Sequence, residues 1–271
     1  MTVLLDDVVS ALERRYPPQW AESWDAVGLV VGDPQAVVRR VLFAVDPVEV
    51  VVAEAAERGA DLLVTHHPLY LRGTSTVAAT DPKGRSVHRL IAGGCALYVA
   101  HTNADVANPG VSDALAGSFD LRETRPLRLM TDDPGEQRGL GRIGRLPEPI
   151  TLQELTIRAA AALPATAWGV RAAGDPLKVI ETLAVCGGAG DDLLREAAAA
   201  GADAFLTADL RHHPAVEAPE GLALLDAAHW ATEWPWLVEA AAWLAAATTV
   251  DTAVSTLVTD PWTTHARSPT L

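Results

Sequence analysis

The sequence predicts an α/β protein of two similar lobes, each with a mixed, largely parallel sheet flanked by helices. The first observation is that short apolar strands alternate with helical segments, an order typical of βαβ units. The second is an internal repeat that relates residues 54–65 to residues 196–207. The third is size, because 271 residues that are 49% hydrophobic suit two modest domains or one large α/β unit.

The first lobe begins with apolar residues at helical spacing, which predict a helix over residues 5–15 that ends before Pro17. Gly59 follows the next predicted helix at a position where helices commonly end. In chain order the predicted strands are 29–31, 40–46, 62–65 and 96–100, and the further helices are 48–58, 86–92 and 110–118.

The second lobe opens after a turn-rich stretch at residues 131–135. Thr151 and Glu154 form a capping box, which predicts a helix that runs to about Leu163. A final helix is expected after Asp226, with Pro235 in its first turns, where a missing N–H is tolerated. The predicted strands are 141–146, 179–186 and 222–225.

The internal repeat keeps one offset of 142 residues, and seven of its twelve positions are identical. Coincidence in an alanine-rich chain is the alternative, but we prefer two lobes of like topology. We expect a first lobe over residues 1–124, a second over 125–228, and a C-terminal helix and strand over 229–271 that pack back on the first lobe.

Charge and cysteine content narrow the class of protein. The formal charge is −14, with 21 basic against 35 acidic residues, which argues against nucleic-acid binding. An anionic small substrate remains compatible, because a metal ion or a local basic pocket can outweigh the global field. Cys95 and Cys186 lie in apolar runs, which indicates packing in a reducing compartment. No signal peptide or membrane span is evident, so we expect a soluble cytoplasmic protein.

Histidines follow two predicted strands. His66 and His67 end the strand at 62–65 and precede Pro68, and His101 ends the strand at 96–100, with Asp105 four residues further on. His-His-Pro alone is more often a polar loop. Ligands of parallel sheets collect at the carboxyl ends of strands, however, and two such ends with histidine favour a shared site.

A third cluster follows the strand at 222–225. His229 and Glu233 are four residues apart and share a helix face, a spacing that can offer two ligands to one metal site, although such a pair is more often a surface interaction. Together the clusters supply four imidazoles and two carboxylates, too many for one zinc ion. They suit two divalent ions about 3.5–4 Å apart, and Zn, Fe, Mn, Co and Ni are not distinguished.

The chain resembles the Nif-three-like dinuclear metal-centre proteins, often labelled GTP cyclohydrolase 1 type 2 homologues. The similar segments occur in family order over nearly the whole chain: residues 24–29 (WDAVGL), 65–69 (THHPL), 101–105 (HTNAD), 186–190 (CGGAG), 201–209 (GADAFLTAD), and 226–229 (DAAH) with Glu233. The sequence departs from the family pattern at Ala26, Ala208 and Ala228. Because alanine tolerates positive φ poorly, Ala208 and Ala228 should lie outside that region.

The resemblance implies a two-lobed α/β fold with a two-metal site at the lobe interface and a ring-shaped homohexamer. It assigns the metal ligands to the same six residues, which are His66, His67, His101, Asp105, His229 and Glu233. Glu233 and Asp25 are the candidate catalytic residues. Asp25 is either a general base or a carboxylate that contacts the metal ligands rather than the metals, or else it caps the following turn.

Several further polar residues stay open to two interpretations. Asp209, His212 and His213 either line the substrate side of the cleft or form a solvated loop. Asp226 is a candidate to orient a ligand histidine through its second ring nitrogen. His88 and His265 are expected at the surface.

The function that these residues favour is a dinuclear metal-dependent hydrolase that uses a metal-bridging hydroxide on a small molecule such as a nucleotide. GTP cyclohydrolase-like and phosphoester hydrolysis both fit the metals. A non-catalytic, metal-binding hexameric regulator or adaptor is the alternative, and a metal buffer with weakly held ions is a third possibility.

Overall fold

The computed structural model describes residues 2–131, 135, 138–266 and 268. The chain divides into two compact units. The first contains residues 1–107 and 237–259, and the second contains residues 108–236 and 260–271. The predicted turn at 131–135 lies partly outside the described residues, since 132–134 are not among them. The three-part division at residues 124/125 and 228/229 stays a prediction.

The first unit is built on a five-stranded sheet with the order β1-β4-β3-β2-β11. Strands β4, β3, β2 and β11 are mutually parallel, and β1 pairs antiparallel with β4. The strands are β1 (Gly28–Val31), β2 (Arg40–Ala44), β3 (Leu62–Thr65), β4 (Ala96–Val99) and β11 (Asp251–Val254), and the helices are α1 (Leu5–Arg15), α2 (Glu49–Glu57), α3 (Pro82–Gly93) and α4 (Thr102–Asp105).

The centre of this sheet is apolar on both faces. Every residue of β3 and β4 is buried, as expected for parallel strands covered on two sides. Because β2, β3 and β4 are parallel, their carboxyl ends lie at one edge of the sheet. Asp46 lies just after β2, His66 and His67 follow β3, and His101 lies just after β4.

The second unit contains a six-stranded mixed sheet with the order β5-β6-β8-β9-β10-β7. Only β8, β9 and β10 are parallel to one another. The strands are β5 (Arg122–Leu129), β6 (Gly139–Thr151), β7 (Val170–Ala173), β8 (Val179–Ala189), β9 (Ala204–Ala208) and β10 (Ala223–Ala227), and the helices are α5 (Val111–Gly117), α6 (Leu152–Ala162), α7 (Leu194–Ala199) and α8 (His212–Val216). The long helix α9 (His229–Ala247) begins in this unit, and its residues from Leu237 onward belong to the first unit.

The mixed α/β architecture predicted from the sequence is confirmed. The edge strands β5 and β7 and the short helix α8 were not predicted, whereas β11 lies in the C-terminal segment where a strand was expected. The first four residues of β5 and the last three of β7 are exposed, so neither strand carries the apolar run by which buried strands are recognised. Charged side chains are common on edge strands, where they discourage pairing with another chain.

The internal repeat has a structural counterpart inside each unit. In the first unit the Asp61 carboxylate accepts hydrogen bonds from the backbone N–H groups of Arg39 and Arg40, at 2.7 and 3.0 Å. In the second unit the Asp203 carboxylate accepts from Glu181 and Thr182 at 3.0 and 2.9 Å. Each aspartate ties the helix–strand turn to the start of the neighbouring parallel strand. The repeat therefore preserves one local structure, at the offset of 142 residues throughout.

Both cysteines are buried thiols. Among the described residues, no helix has the length and apolar character needed to cross a membrane.

Candidate metal centre

His66 is fixed by the strand that precedes it. It is 1% exposed, and its Nδ1–H donates to the carbonyl of Ala100 at 2.9 Å. A carbonyl oxygen can only accept, so the proton lies on Nδ1 and the lone pair of the neutral ring lies on Nε2. Nε2 is the nitrogen with which His66 can bind a metal.

His67 is oriented by a carboxylate. Its Nδ1 contacts Asp46 Oδ1 at 2.7 Å, and Asp46 also accepts a hydrogen bond from the Thr259 hydroxyl. A carboxylate bound to Nδ1 fixes the tautomer and makes Nε2 more basic, which is the usual arrangement of a metal-bound histidine. No spacing in the sequence connected Asp46 with His67, and the residue was missed for that reason.

His101 is held in the same way by Asp25, whose Oδ1 lies 2.8 Å from Nδ1. The Asp25 side chain is fully buried, and its carboxylate also accepts from the backbone N–H of Ala26 and from both the N–H and hydroxyl of Thr102. Burial alone would raise the pKa of Asp25, but the hydrogen bonds from His101 and Thr102 outweigh it and hold the pKa well below its ordinary value. Asp25 is therefore a stable carboxylate that orients His101.

The three rings form one cluster at the carboxyl edge of the sheet. The ring centroids of His66 and His67 lie 5.2 Å apart, those of His66 and His101 5.1 Å, and those of His67 and His101 5.5 Å. One ligand nitrogen from each ring lies within 4.8 Å of the others, a group that could hold a metal ion. The Asp105 carboxylate is 3.6 Å from Nε2 of His66. The four residues of the first unit that the sequence placed in the site are thus neighbours.

The second unit contributes a histidine–glutamate pair at the start of α9. His229 Nε2 lies 2.9 Å from Glu233 Oε1, and His229 Nδ1 lies 2.7 Å from Asp209 Oδ2. Burial disfavours the charged imidazole, but the carboxylates of Glu233 and Asp209 outweigh it and raise the pKa of His229 to about 11. The two carboxylates thus stabilise positive charge at this imidazole, as they would stabilise a cation bound to it.

Gly188 makes room for this pair. Its φ of +65° is left-handed, and a Cβ at this position would lie 2.5 Å from Glu233 Oε1 and 3.1 Å from His229 Nε2. The Gly188 N–H donates to the Thr232 hydroxyl at 2.9 Å, which fixes the end of β8 against α9. The sequence indicated a glycine-rich strand end here but not its contact with His229 and Glu233.

The expectation that Asp226 orients a histidine of the site is wrong. Asp226 does not orient His229: its carboxylate binds the Arg171 guanidinium at 2.5 Å and accepts from the Leu210 N–H at 3.3 Å. Asp209, which follows the neighbouring parallel strand, takes that role. It adopts a φ of +57°, whereas Ala208 and Ala228 stay outside the positive-φ region as predicted.

The remaining histidines belong to neither of the groups of described residues that could hold a metal ion. His212 and His213 are exposed on α8, with ring centroids 5.2 Å apart, and His88 and His265 are exposed as expected.

The fold and these clusters define a class: α/β proteins in which histidine and carboxylate side chains gather where sheet strands end, in an arrangement suited to metal binding. The chain belongs to the Duf34/NIF3 (NGG1p interacting factor 3) family, whose model matches residues 3–261.

Relatives and solved structures agree with this membership. A Streptomyces coelicolor protein named GTP cyclohydrolase 1 type 2 homolog is 59% identical, over 97% of this chain and 95% of the relative. A Staphylococcus aureus hypothetical protein of known structure is 27% identical with a TM-score of 0.86, over 97% of this chain and 99% of that one. A Bacillus cereus protein related to NIF3 has a TM-score of 0.88 at 24% identity, over 97% and 99% of the two chains, and supports the fold.

Proposed function

We propose that this protein is a metal-dependent hydrolase with two divalent ions per chain. The ligands of this proposal are His66, His67, His101, Asp105, His229 and Glu233. One observation carries it: all four histidines are bound through Nδ1, by a carbonyl or a carboxylate of their own unit, so that Nε2 is the nitrogen suited to a metal. Histidines that serve only packing have no need of this uniform arrangement.

The number of donors supports two ions. Four imidazoles and two carboxylates exceed the four ligands of a single zinc. Imidazole and carboxylate together are compatible with Zn, Fe, Mn, Co and Ni.

Divalent ions bound by such ligands would lower the pKa of water and polarise a substrate oxygen. The chain's own residues would hold the imidazoles in place through Asp25, Asp46, Asp209 and the Ala100 carbonyl. Glu233, 3% exposed, is our candidate to accept a proton as well as to bind a metal. The contacts of Asp25 favour a positioning role over the proton-transfer role that is its alternative.

The substrate that we propose is a small molecule such as a nucleotide or phosphoester. Relatives bear the name GTP cyclohydrolase 1 type 2 homolog, which favours a purine nucleotide. The sequence contains no Gly-x-x-x-x-Gly-Lys loop, so phosphate would be recognised in another way. The proposed assembly is a homohexamer, and light scattering on the eluting peak of a sizing column should give the mass of six chains.

Turnover in a Glu233→Gln variant tests the enzymatic part. Metal-loaded protein is assayed with GTP, guanosine monophosphate and p-nitrophenyl phosphate. We expect the best substrate to lose at least about 100-fold in kcat in Glu233→Gln, as is common when a catalytic proton-transfer group is removed. His88→Ala, at an exposed histidine on α3, should keep its activity. Full activity in Glu233→Gln would contradict the role of Glu233, and metal-loaded wild type without turnover would favour the regulator or adaptor.

A further inference from the structure

A cavity of about 490 Å³ lies within the first unit, beside His67. Its wall includes Pro47, Val48, Val50, Leu69, Pro82 and Lys83, and we call it the Lys83 pocket. Its volume falls in the range of about 300–1,000 Å³ that is usual for small-molecule sites. Because His67 is also part of the wall, a molecule in this pocket would lie next to the candidate metal centre.

The body of the pocket is apolar. Three prolines, two valines and a leucine make up more than half of its lining residues, and these side chains cannot hydrogen-bond a polar ligand body. Val48 and Val50 are 42% and 60% exposed, so apolar surface of the wall faces solvent. Binding of a flat apolar ring over these two valines would be favoured, because it would remove their apolar surface from water.

Of the residues that the structure describes, Lys83 is the cation of the pocket wall that is not paired with a carboxylate. Two acidic residues also line the pocket. Glu49 is neutralised by a bidentate pair with Arg85 at 2.8 and 2.9 Å, whereas Asp46, which accepts from the His67 ring and the Thr259 hydroxyl, places a negative charge at the His67 end. The Lys83 ammonium lies 5.5 Å from the centroid of the Tyr70 ring, and within the described part of the chain it has no carboxylate partner. The other lysine, Lys178, instead donates to the carbonyls of Asp203 and Gly221.

We propose that the Lys83 pocket binds an anionic small molecule with a flat apolar ring, with its ring against Val48 and Val50 and its anionic group at Lys83. The pocket would thereby position such a molecule beside His67. Its role as a substrate site rests on the proposed function, whereas the binding itself does not. An extended polar or cationic ligand would leave the apolar wall exposed and Lys83 without a counter-charge.

Calorimetric titration with two probes of one shape tests the binding. 1-Naphthaleneacetate carries the ring and the anion, and 2-(1-naphthyl)ethanol carries the ring alone. We expect the acid to bind at least about tenfold more tightly than the alcohol, and inorganic phosphate alone to bind more weakly than the acid. Metal-loaded and chelator-treated proteins are both titrated, because a carboxylate can also bind a metal ion directly.

Two variants and their matched controls locate the site. Lys83→Met should weaken binding of the acid about tenfold and leave the alcohol unchanged, and Lys83→Arg should restore most of the loss. Arg72→Met removes an exposed cation that does not line the pocket and should change neither affinity. Val50→Glu places a carboxylate at the wall and should abolish binding of the acid, whereas Ile91→Glu, at an exposed apolar position on α3 outside the pocket, should not.

The outcomes separate this proposal from the hydrolase. Binding that depends on Lys83 and Val50 in chelator-treated protein supports the pocket, whether or not any turnover is found. Equal affinity for acid and alcohol, affinity unchanged in Lys83→Met or Val50→Glu, binding only when metal is present, or no binding would each overturn it. None of these results alters the metal content on which the proposed function depends.

Discussion

Each histidine of the candidate metal centre is held at Nδ1 by an acceptor that comes from a different place in the chain. His66 uses the carbonyl of Ala100, while His67, His101 and His229 use Asp46, Asp25 and Asp209 in turn. The acceptors leave the rings little freedom to rotate, so each Nε2 has a fixed position without a bound metal. Such outer contacts commonly matter almost as much as the ligands themselves.

Removal of one outer carboxylate should therefore weaken metal binding while the ligand remains. We expect Asp46→Ala to lower metal affinity about 10–100-fold, because His67 loses the group that orients it. Competition with a chelator of known affinity measures the change. Glu57→Ala, an exposed acidic residue on α2, is the control for lost negative charge and should have no effect. Unchanged affinity in Asp46→Ala would contradict the orienting role.

A substitution at Gly188 tests whether this glycine shapes the site around Glu233. Gly188→Ala combines a left-handed φ with a Cβ 2.5 Å from Glu233 Oε1, so it should lower both stability and metal content. Gly221→Ala is the matched control, because Gly221 has a φ of +85° and a Cβ added there would meet nothing within 4 Å. The backbone strain alone should cost about 1–2 kcal/mol in each. Equal metal content in the two variants would show that Gly188 does not shape the site.

The thiol of Cys95 should be unreactive in the folded protein. Burial and the nearby Asp61 charge raise the pKa of this thiol to about 12, so the reactive thiolate is scarce at pH 8. We expect iodoacetamide to leave Cys95 unmodified in native protein and to alkylate it after unfolding in guanidinium chloride, as followed by mass spectrometry. Rapid alkylation of the native protein at pH 8 would contradict this environment.

The sequence revealed the ligand candidates but not all of their supports. His66, His67 and His101 could be found because each follows an apolar strand, and His229 and Glu233 because they are four residues apart on a helix. Asp46 also follows a strand, but it lies 21 residues from its partner His67. Because no motif joins the two residues, the sequence did not indicate their contact. The expectation for Asp226 failed because Asp209 follows β9 while Asp226 lies near the end of the neighbouring parallel strand β10, and pattern alone does not tell which carboxylate faces the histidine.

At the scale of elements, the repeat joins a helix, a turn and a strand into one unit that occurs twice. α2 and β3 are matched by α7 and β9, and Asp61 and Asp203 accept two backbone hydrogen bonds each. These carboxylates satisfy N–H groups where a neighbouring parallel strand begins. Local structure of this kind is specified by few residues, which explains why seven identical positions suffice to reveal it.

Loss of either aspartate should destabilise its own unit by a similar amount. We expect Asp61→Ala and Asp203→Ala each to reduce the free energy of unfolding by about 1–3 kcal/mol, because two charge-assisted hydrogen bonds are lost. Urea denaturation followed by circular dichroism measures the midpoint. Glu57→Ala and Glu220→Ala, exposed acidic residues of the first and second unit, should stay within about 0.5 kcal/mol of wild type. A shift in only one of the two aspartate variants would argue against equivalent roles.

Elements with strong local signals were predicted well. The capping box of α6 is present, with Thr151 Oγ1 accepting from the Glu154 N–H at 3.2 Å and Glu154 accepting from the Thr151 N–H at 2.8 Å. The buried strand β3 has the predicted bounds. The strands β5 and β7 were missed because their stability comes from pairing with β6 and β10 rather than from their own composition.

For the whole molecule, the proposed ions should link metal binding to stability. A ligand that binds only the folded state stabilises it by RT ln(1 + [L]/Kd), which is about 2.7 kcal/mol at a hundred times Kd. We therefore expect chelation to lower the Tm of wild type, and metal to restore it, by differential scanning fluorimetry. His101→Ala should show a smaller response. A Tm that is indifferent to chelator and metal would argue against ions held by the fold.

We propose that one chain holds two divalent ions through the six ligands. Inductively coupled plasma mass spectrometry measures the metal content directly, on protein purified without chelator or a metal-affinity tag. We expect about two ions per chain in wild type, fewer in His101→Ala, and the wild-type content in His88→Ala, where an exposed histidine on α3 is lost. No metal in wild type, with none taken up on reconstitution, would contradict the two-metal assignment and leave only the fold.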